Sequence, residues 1–221
     1  MPNESNFMVI APAQQGVAPN TYAFEVLNVK LYVMKVSLMD GLAMQLSRKL
    51  ELKPARYAVR KSMMKALFVA PGQYEFQSNI FMDQVPRRIT LGLVSNADYV
   101  GNQQRSPFNF QPFDVREISV QANGRSYPQA PYILDYPNLR AVRPFVDTNQ
   151  AIGFANTLQS NGITLGQFCR THAIYVFNLT NSQEDQGAMF DLIKKGNTAV
   201  SIKFTNAVPA GGLMLIVSII L

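Results

Sequence analysis

Apolar and polar positions alternate along most of the 221 residues with the period of a strand rather than of a helix. Residues 29–38 set the pattern. Tyr32, Met34, Val36 and Leu38 fall on one side, and Leu31, Val33 and Lys35 on the other. A short helix is expected next: Asp40 suits a cap, Leu42, Ala43, Leu46 and Leu50 make one stripe, and Pro54 forbids continuation. Strands are then predicted at residues 57–69, 74–82, 87–95 and 113–122. Pro71-Gly72 forms a turn after the first of these and Asn123-Gly124 follows the last. From Arg125 to Arg170 the pattern loosens under Pro128, Pro131, Pro137 and Pro144, leaving room for a helix over about 148–159 and a turn at Asn161-Gly162. Residues 172–180, 198–205 and 213–221 supply three closing strands. Val200, Ile202 and Phe204 alternate with Ser201, Lys203 and Thr205, so that strand has one wet face; residues 213–221 are apolar on both faces and predict a covered strand.

Eight strands, mostly antiparallel, with one long crossover and no βαβ alternation predict an all-β fold. The form expected is an eight-stranded antiparallel jelly-roll β-sandwich with one or two short helices in long loops. An immunoglobulin-like sandwich, with fewer strands and shorter loops, fits less well. Residues 1–28 read as an N-terminal arm or linker, and residues 29–221 as a single domain with a long loop at about 125–170.

Composition changes the picture in one respect. Only 15% of the residues are charged, against about 25% for an ordinary soluble domain. A surface that poor in charge points to cover by neighbouring subunits. The single cysteine, Cys169, excludes an internal disulfide and favours a reducing compartment. The polar start lacks a secretory pattern, and the longest apolar run, 212–221, is too short to span a bilayer, so a soluble protein is expected. The formal charge of +6 is uneven. Arg48, Lys49, Lys53, Arg56, Arg60, Lys61 and Lys65 share one stretch opposed only by Glu51. Such a cluster could contact nucleic acid or an acidic partner, although a solvated helix end and strand edge is the commoner meaning.

Candidate chemistry is sparse. His172 is the one histidine, whereas a metal site on a β-sandwich of the cupin kind needs two or more. Cys169 lies three residues before it without a second pair to complete a metal site, and reads as a small buried thiol at the start of a strand. The carboxylates Asp40, Asp83, Asp98, Asp114, Asp135, Asp147 and Asp191 form no DxD or ExxE pair. Lys194-Lys195-Gly196 reverses the end of a phosphate loop and lacks its upstream glycine. Asn3-Glu4-Ser5 and Asn178-Leu179-Thr180 match the glycosylation acceptor pattern, and without a leader peptide they read as chance. No enzyme, cofactor, metal or small-molecule substrate is indicated. Ser106, Pro107, Phe108, Asn109 and Phe110 carry no catalytic group and suit a subunit-docking loop.

Several runs occur in the order found in one family: residues 31–36 (LYVMKV), 81–94 (FMDQVPRRITLGLV), 106–110 (SPFNF), 174–180 (IYVFNLT) and 190–197 (FDLIKKGN). Over roughly residues 29–217 the chain resembles the C-terminal jelly-roll half of the double jelly-roll major capsid protein of Polinton (Maverick) elements and adintovirus-like viruses. The resemblance implies a viral or transposon capsid protein, without enzymatic activity or cofactor, whose trimers tile a shell as pseudo-hexagonal capsomers. Its partners would be copies of itself and other capsid proteins, with weak contact to packaged DNA. Its location would be the virion, assembled in the host nucleus or cytoplasm. The excursion at 125–170 would be the outward crown, and loops such as 100–112 would lie between subunits. Family members carry a further jelly roll, whose closing strand Asn6-Phe7-Met8-Val9-Ile10 resembles. A single jelly-roll minor (penton) capsid protein is the alternative within this class; a lectin- or tumour-necrosis-factor-like binding module is the alternative outside it.

Overall fold

Period-two apolar patterns need a strand to pair with, and here eight strands find at least one. The computed structural model describes residues 25–55, 57, 59–101, 105–155, 157–180 and 194–221. In chain order the elements are α1 (Asp40–Leu52), β1 (Ser62–Val69), β2 (Glu75–Phe81), β3 (Gln84–Val85), β4 (Arg88–Ser95), α2 (Asn96–Val100), β5 (Val115–Ala122), β6 (Arg125–Ile133), α3 (Val142–Ala151), α4 (Leu165–Phe168), β7 (Ile174–Asn178), β8 (Lys194–Lys195), β9 (Thr198–Phe204) and β10 (Leu213–Ile220). The short β3 and β8 pair only with each other.

The eight longer strands make two sheets, ordered β1-β10-β4-β7 and β2-β9-β5-β6, with antiparallel neighbours throughout. Among them the first pairs with the last, the second with the seventh, the third with the sixth and the fourth with the fifth. A doubled ribbon rolled on itself gives that order, and it is the jelly roll. The expected fold class is the observed one.

The core lies between the sheets. Ile89, Leu91 and Leu93 of β4 and Leu213, Leu215, Val217 and Ile219 of β10 meet Ile118 and Val120 of β5 and Val200, Ile202 and Phe204 of β9. Each such side chain contributes roughly 1.5–3 kcal/mol on burial. The outer face of the second sheet is polar: Lys203 on β9 binds Glu117 on β5 at 2.9 Å.

The membership of the eight strands differs from expectation by one exchange. Residues 29–38 belong to no strand, and they fall within residues 20–59, a unit distinct from residues 60–221. The jelly roll therefore begins at Ser62 rather than near residue 29. Alternation makes a strand only where a ladder is available. Conversely, Arg125–Ile133, expected to open the long excursion, is β6. Asn123 (φ 50°) and Gly124 (φ 74°) form the left-handed pair that a two-residue hairpin turn requires. Pro128 and Pro131 are tolerated because β6 is an edge strand whose pairing shifts register opposite Ile118 and Val120.

The helices are displaced in smaller ways. Met39, not Asp40, is the N-cap of α1. Asp40 instead places its carboxylate in the first turn, near the positive end of the helix dipole. The helix expected over 148–159 is α3, which starts earlier because Pro144 sits in its first turn, where a missing N–H breaks no bond. Gly153 (φ 87°) follows its end.

Tyr136 and Tyr175 meet hydroxyl to hydroxyl in the core. Burial holds both phenols well above their ordinary range. Tyr136→Phe or Tyr175→Phe alone should cost about 1–3 kcal/mol by orphaning the other hydroxyl, and the double variant less than the sum. Because the folded pKa values are raised, this stabilisation is complete below the unfolded value near 10 and is lost as pH rises beyond it. Urea denaturation across a pH series should show that alkaline decline, with a shallower slope in the double variant.

Candidate functional site

The connection from β4 to β5 is held at both ends. Ser95 caps α2, its Oγ accepting the Asp98 N–H at 3.1 Å. Asp98 is 6% exposed, and a buried carboxylate needs partners. Arg105 donates to Oδ1 at 3.2 Å and the Asn109 amide to Oδ2 at 3.5 Å. Downstream, the Phe108 N–H donates to Ser106 Oγ at 3.2 Å and the Phe110 N–H to the Phe108 carbonyl at 3.1 Å, closing a turn around Pro107.

Phe110 is the anchor of this loop. Its carbonyl accepts the Ala173 N–H at 2.9 Å, beside β7. Its ring lies over Gly92 of β4, where an added Cβ would stand 2.5 Å from ring Cδ1. Leu91 and Leu93 face the core, so Gly92 opens the outer face of the sheet and the ring fills that notch. Phe108 is 70% exposed. One aromatic of the five-residue string is half-buried against the wall and the other is presented.

An open cavity of about 490 Å³ adjoins this turn, lined by Asp98, Arg105, Phe108, Asn109, Thr171 and His172 among others. Both Asp98 oxygens are engaged, and His172 Nδ1 hydrogen-bonds the Thr171 hydroxyl at 2.7 Å. The rim combines an exposed aromatic ring with an arginine and amides, the mixture that anchors protein contacts. A smaller depression of about 200 Å³ lies between β6, α3 and β7. There the Tyr132 hydroxyl donates to Asp147 Oδ2 at 2.7 Å, and burial followed by Asp147 pushes the phenol upward.

The basic stretch is divided. Arg48 and Lys49 lie on α1 and Lys53 at its end, whereas Arg60, Lys61 and Lys65 belong to the other unit; Arg56 lies outside the described residues. Lys65 is spent internally: its Nζ donates to the Ile80 carbonyl at 2.7 Å and stands 4.3 Å from the Phe81 ring centroid. Sequence spacing alone does not reveal that this exposed lysine is engaged on a neighbouring strand. Cys169 is buried at the end of α4 rather than at a strand start, and burial raises its thiol pKa. Among the described residues no group of three His, Cys, Asp or Glu side chains could hold a metal, and no helix is long and apolar enough to cross a membrane. The Asn178 side chain accepts from the Thr180 N–H and hydroxyl at 3.1 and 2.6 Å.

No protein-family model matches the chain. It is similar to an uncharacterized Caenorhabditis elegans protein, F54H12.2, with 30% identity over 220 residues, which are 98% of this chain and 52% of that protein. The chain thus spans about half the length of this curated relative. Among solved structures it is similar to the quasi-atomic model of the PBCV-1 virus capsid, over 80% of this chain and 51% of that one, at 10% identity and a TM-score of 0.43. So loose a likeness carries no argument, and the jelly roll rests on the strand order itself.

Gly92→Ala should destabilise the fold by about 1–3 kcal/mol, because the Phe110 ring must leave its notch. Combining it with Phe110→Ala should cost less than the two changes added, while Phe108→Ala should stay within about 0.5 kcal/mol of wild type. Urea titrations of the four proteins check all three statements.

Proposed function

We propose that the chain is a structural capsid protein, of a double-stranded DNA virus or a virus-derived transposon of the Polinton (Maverick) type, that works by packing against copies of itself. The observation that carries this reading is the rolled pairing of first strand with last, joined to the ordered runs that resemble the capsid family. A sandwich with its strand connections gathered at the two ends acts as a wall element, and its loops and edges are what neighbours touch. The low charged share and the exposed Phe108 on an anchored loop suit that use.

In this reading Ser106 to Phe110 form part of the subunit contact, and assembly proceeds through trimers into pseudo-hexagonal capsomers. Three family-type proteins that each carry two sandwiches, of which the described residues here supply one, would present six wall elements, the geometric origin of a six-sided outline. Arg48, Lys49, Lys53, Arg56, Arg60 and Lys61 would give at most a weak contact to packaged DNA, which weakens steeply with salt. The protein would reside in the virion with other capsid proteins and act by shape, with neither substrate nor cofactor.

Light scattering and negative-stain electron microscopy of the purified chain should show concentration-dependent association, with native mass spectrometry giving multiples of three. Multiples of five would assign it to the penton class instead. A strictly monomeric species at high concentration would overturn the reading.

A further inference from the structure

Four strand edges bound the two sheets, and three are closed by recognisable devices. On β7, Thr148 of α3 stands in for a neighbouring strand: its Oγ1 accepts the Val176 N–H at 3.3 Å and donates to the Ile174 carbonyl at 3.5 Å. On β6, Pro128 and Pro131 remove two donors, and the pairing breaks register. On β2 the register shifts between Asn79 and Phe81, and the Ile80 carbonyl is taken by Lys65.

β1 has none of these. It pairs with β10 without a break from Ser62↔Ile220 to Val69↔Leu213. Lys61 and Leu221 exchange both backbone hydrogen bonds. By the alternation of an antiparallel ladder, the odd-numbered residues of β1 bond β10, while the N–H and C=O groups of Ser62, Met64, Ala66 and Phe68 face away from it. All four residues are exposed, and no described residue supplies their backbone with a partner. The one charge on the strand, the exposed Lys65, leans across to β2, where its Nζ rests on the Ile80 carbonyl and over the Phe81 ring.

The same chain carries a strand pattern without a ladder. In residues 29–38 the large side chains Val29, Leu31, Tyr32, Val33, Met34, Val36 and Leu38 are 48–92% exposed. Together they expose on the order of 1,000 Å², part of which a strand addition removes from water, against the roughly 800 Å² that each partner gives to a specific interface. Their length suffices to run along all of β1.

We propose that residues 29–38 of one copy add as a strand to the β1 edge of a second copy, extending the β1-β10-β4-β7 sheet by one member. Main-chain hydrogen bonds to Ser62, Met64, Ala66 and Phe68 hold the added strand, and its alternating side chains continue both faces of the sheet. Each copy has one such segment and one such edge, so the contact closes as a reciprocal dimer or passes around a ring. The inference rests on the self-association proposed above and names its contact.

Ala66→Pro tests the edge, because the N–H it removes faces away from β10 and the native ladder stays intact. Val33→Pro tests the segment from within the other unit and remains informative if the first variant folds poorly. In the wild-type chain of 221 residues, amide exchange at Ser62, Met64, Ala66 and Phe68 should slow at least about tenfold as concentration drives association. Either variant should lose that protection and most of the association, and mixing the two should restore pairing, since the segment of one meets the edge of the other. Oligomers with these amides still open, or variants that assemble like wild type, would overturn strand addition while leaving self-association in place. Protection independent of concentration would overturn the second copy as the occupant. A chain monomeric throughout would overturn both this inference and the reading beneath it.

Discussion

Everything in this fold hangs on the seam between β1 and β10, neighbours in the sheet but the first and last strands of the jelly roll in sequence. Ser62 lies opposite Ile220 across that seam, and β10 in turn pairs with β4. Without β10 the first sheet has no centre, and the core loses Leu213, Leu215, Val217 and Ile219 together. Closing so long a loop is less of an obstacle than it looks, since each doubling of its length costs only about 0.6 kcal/mol. A strand with four buried inward side chains outweighs that by a wide margin. The cost falls on rate instead: pairing first with last makes contacts of very high sequence separation, which form slowly.

The two sheets divide the remaining work. The β2-β9-β5-β6 sheet turns a polar outer face to its surroundings, with Lys203 and Glu117 paired across strands. The β1-β10-β4-β7 sheet keeps apolar side chains on its outer side and covers part of them with its own loops: Phe110 over Gly92, and α3 along β7. Coverage runs out at β1, where Met64 and Phe68 are 73% and 52% exposed.

The sequence disclosed the strand pattern and the fold class because both follow from period-two burial, which each strand carries in its own residues. Val200, Ile202 and Phe204 on β9 and the doubly apolar β10 needed nothing else to be read. It misled where a local pattern depends on a distant partner. Residues 29–38 alternate as well as any strand, yet alternation records what a segment can bury, not whether a ladder is present. β6 failed in the opposite sense, its prolines masking a hairpin that Asn123-Gly124 announced. Of the docking loop, the string Ser106 to Phe110 was legible as a feature without catalytic groups. The unequal roles of its two phenylalanines were not, because they are set by a glycine on another strand.

That glycine has a mechanical consequence. A neighbouring body leaning on Phe108 would push, two residues along a short turn, on a ring seated over the Gly92 notch of β4. Load applied at the rim is thus directed toward the sheet through that ring.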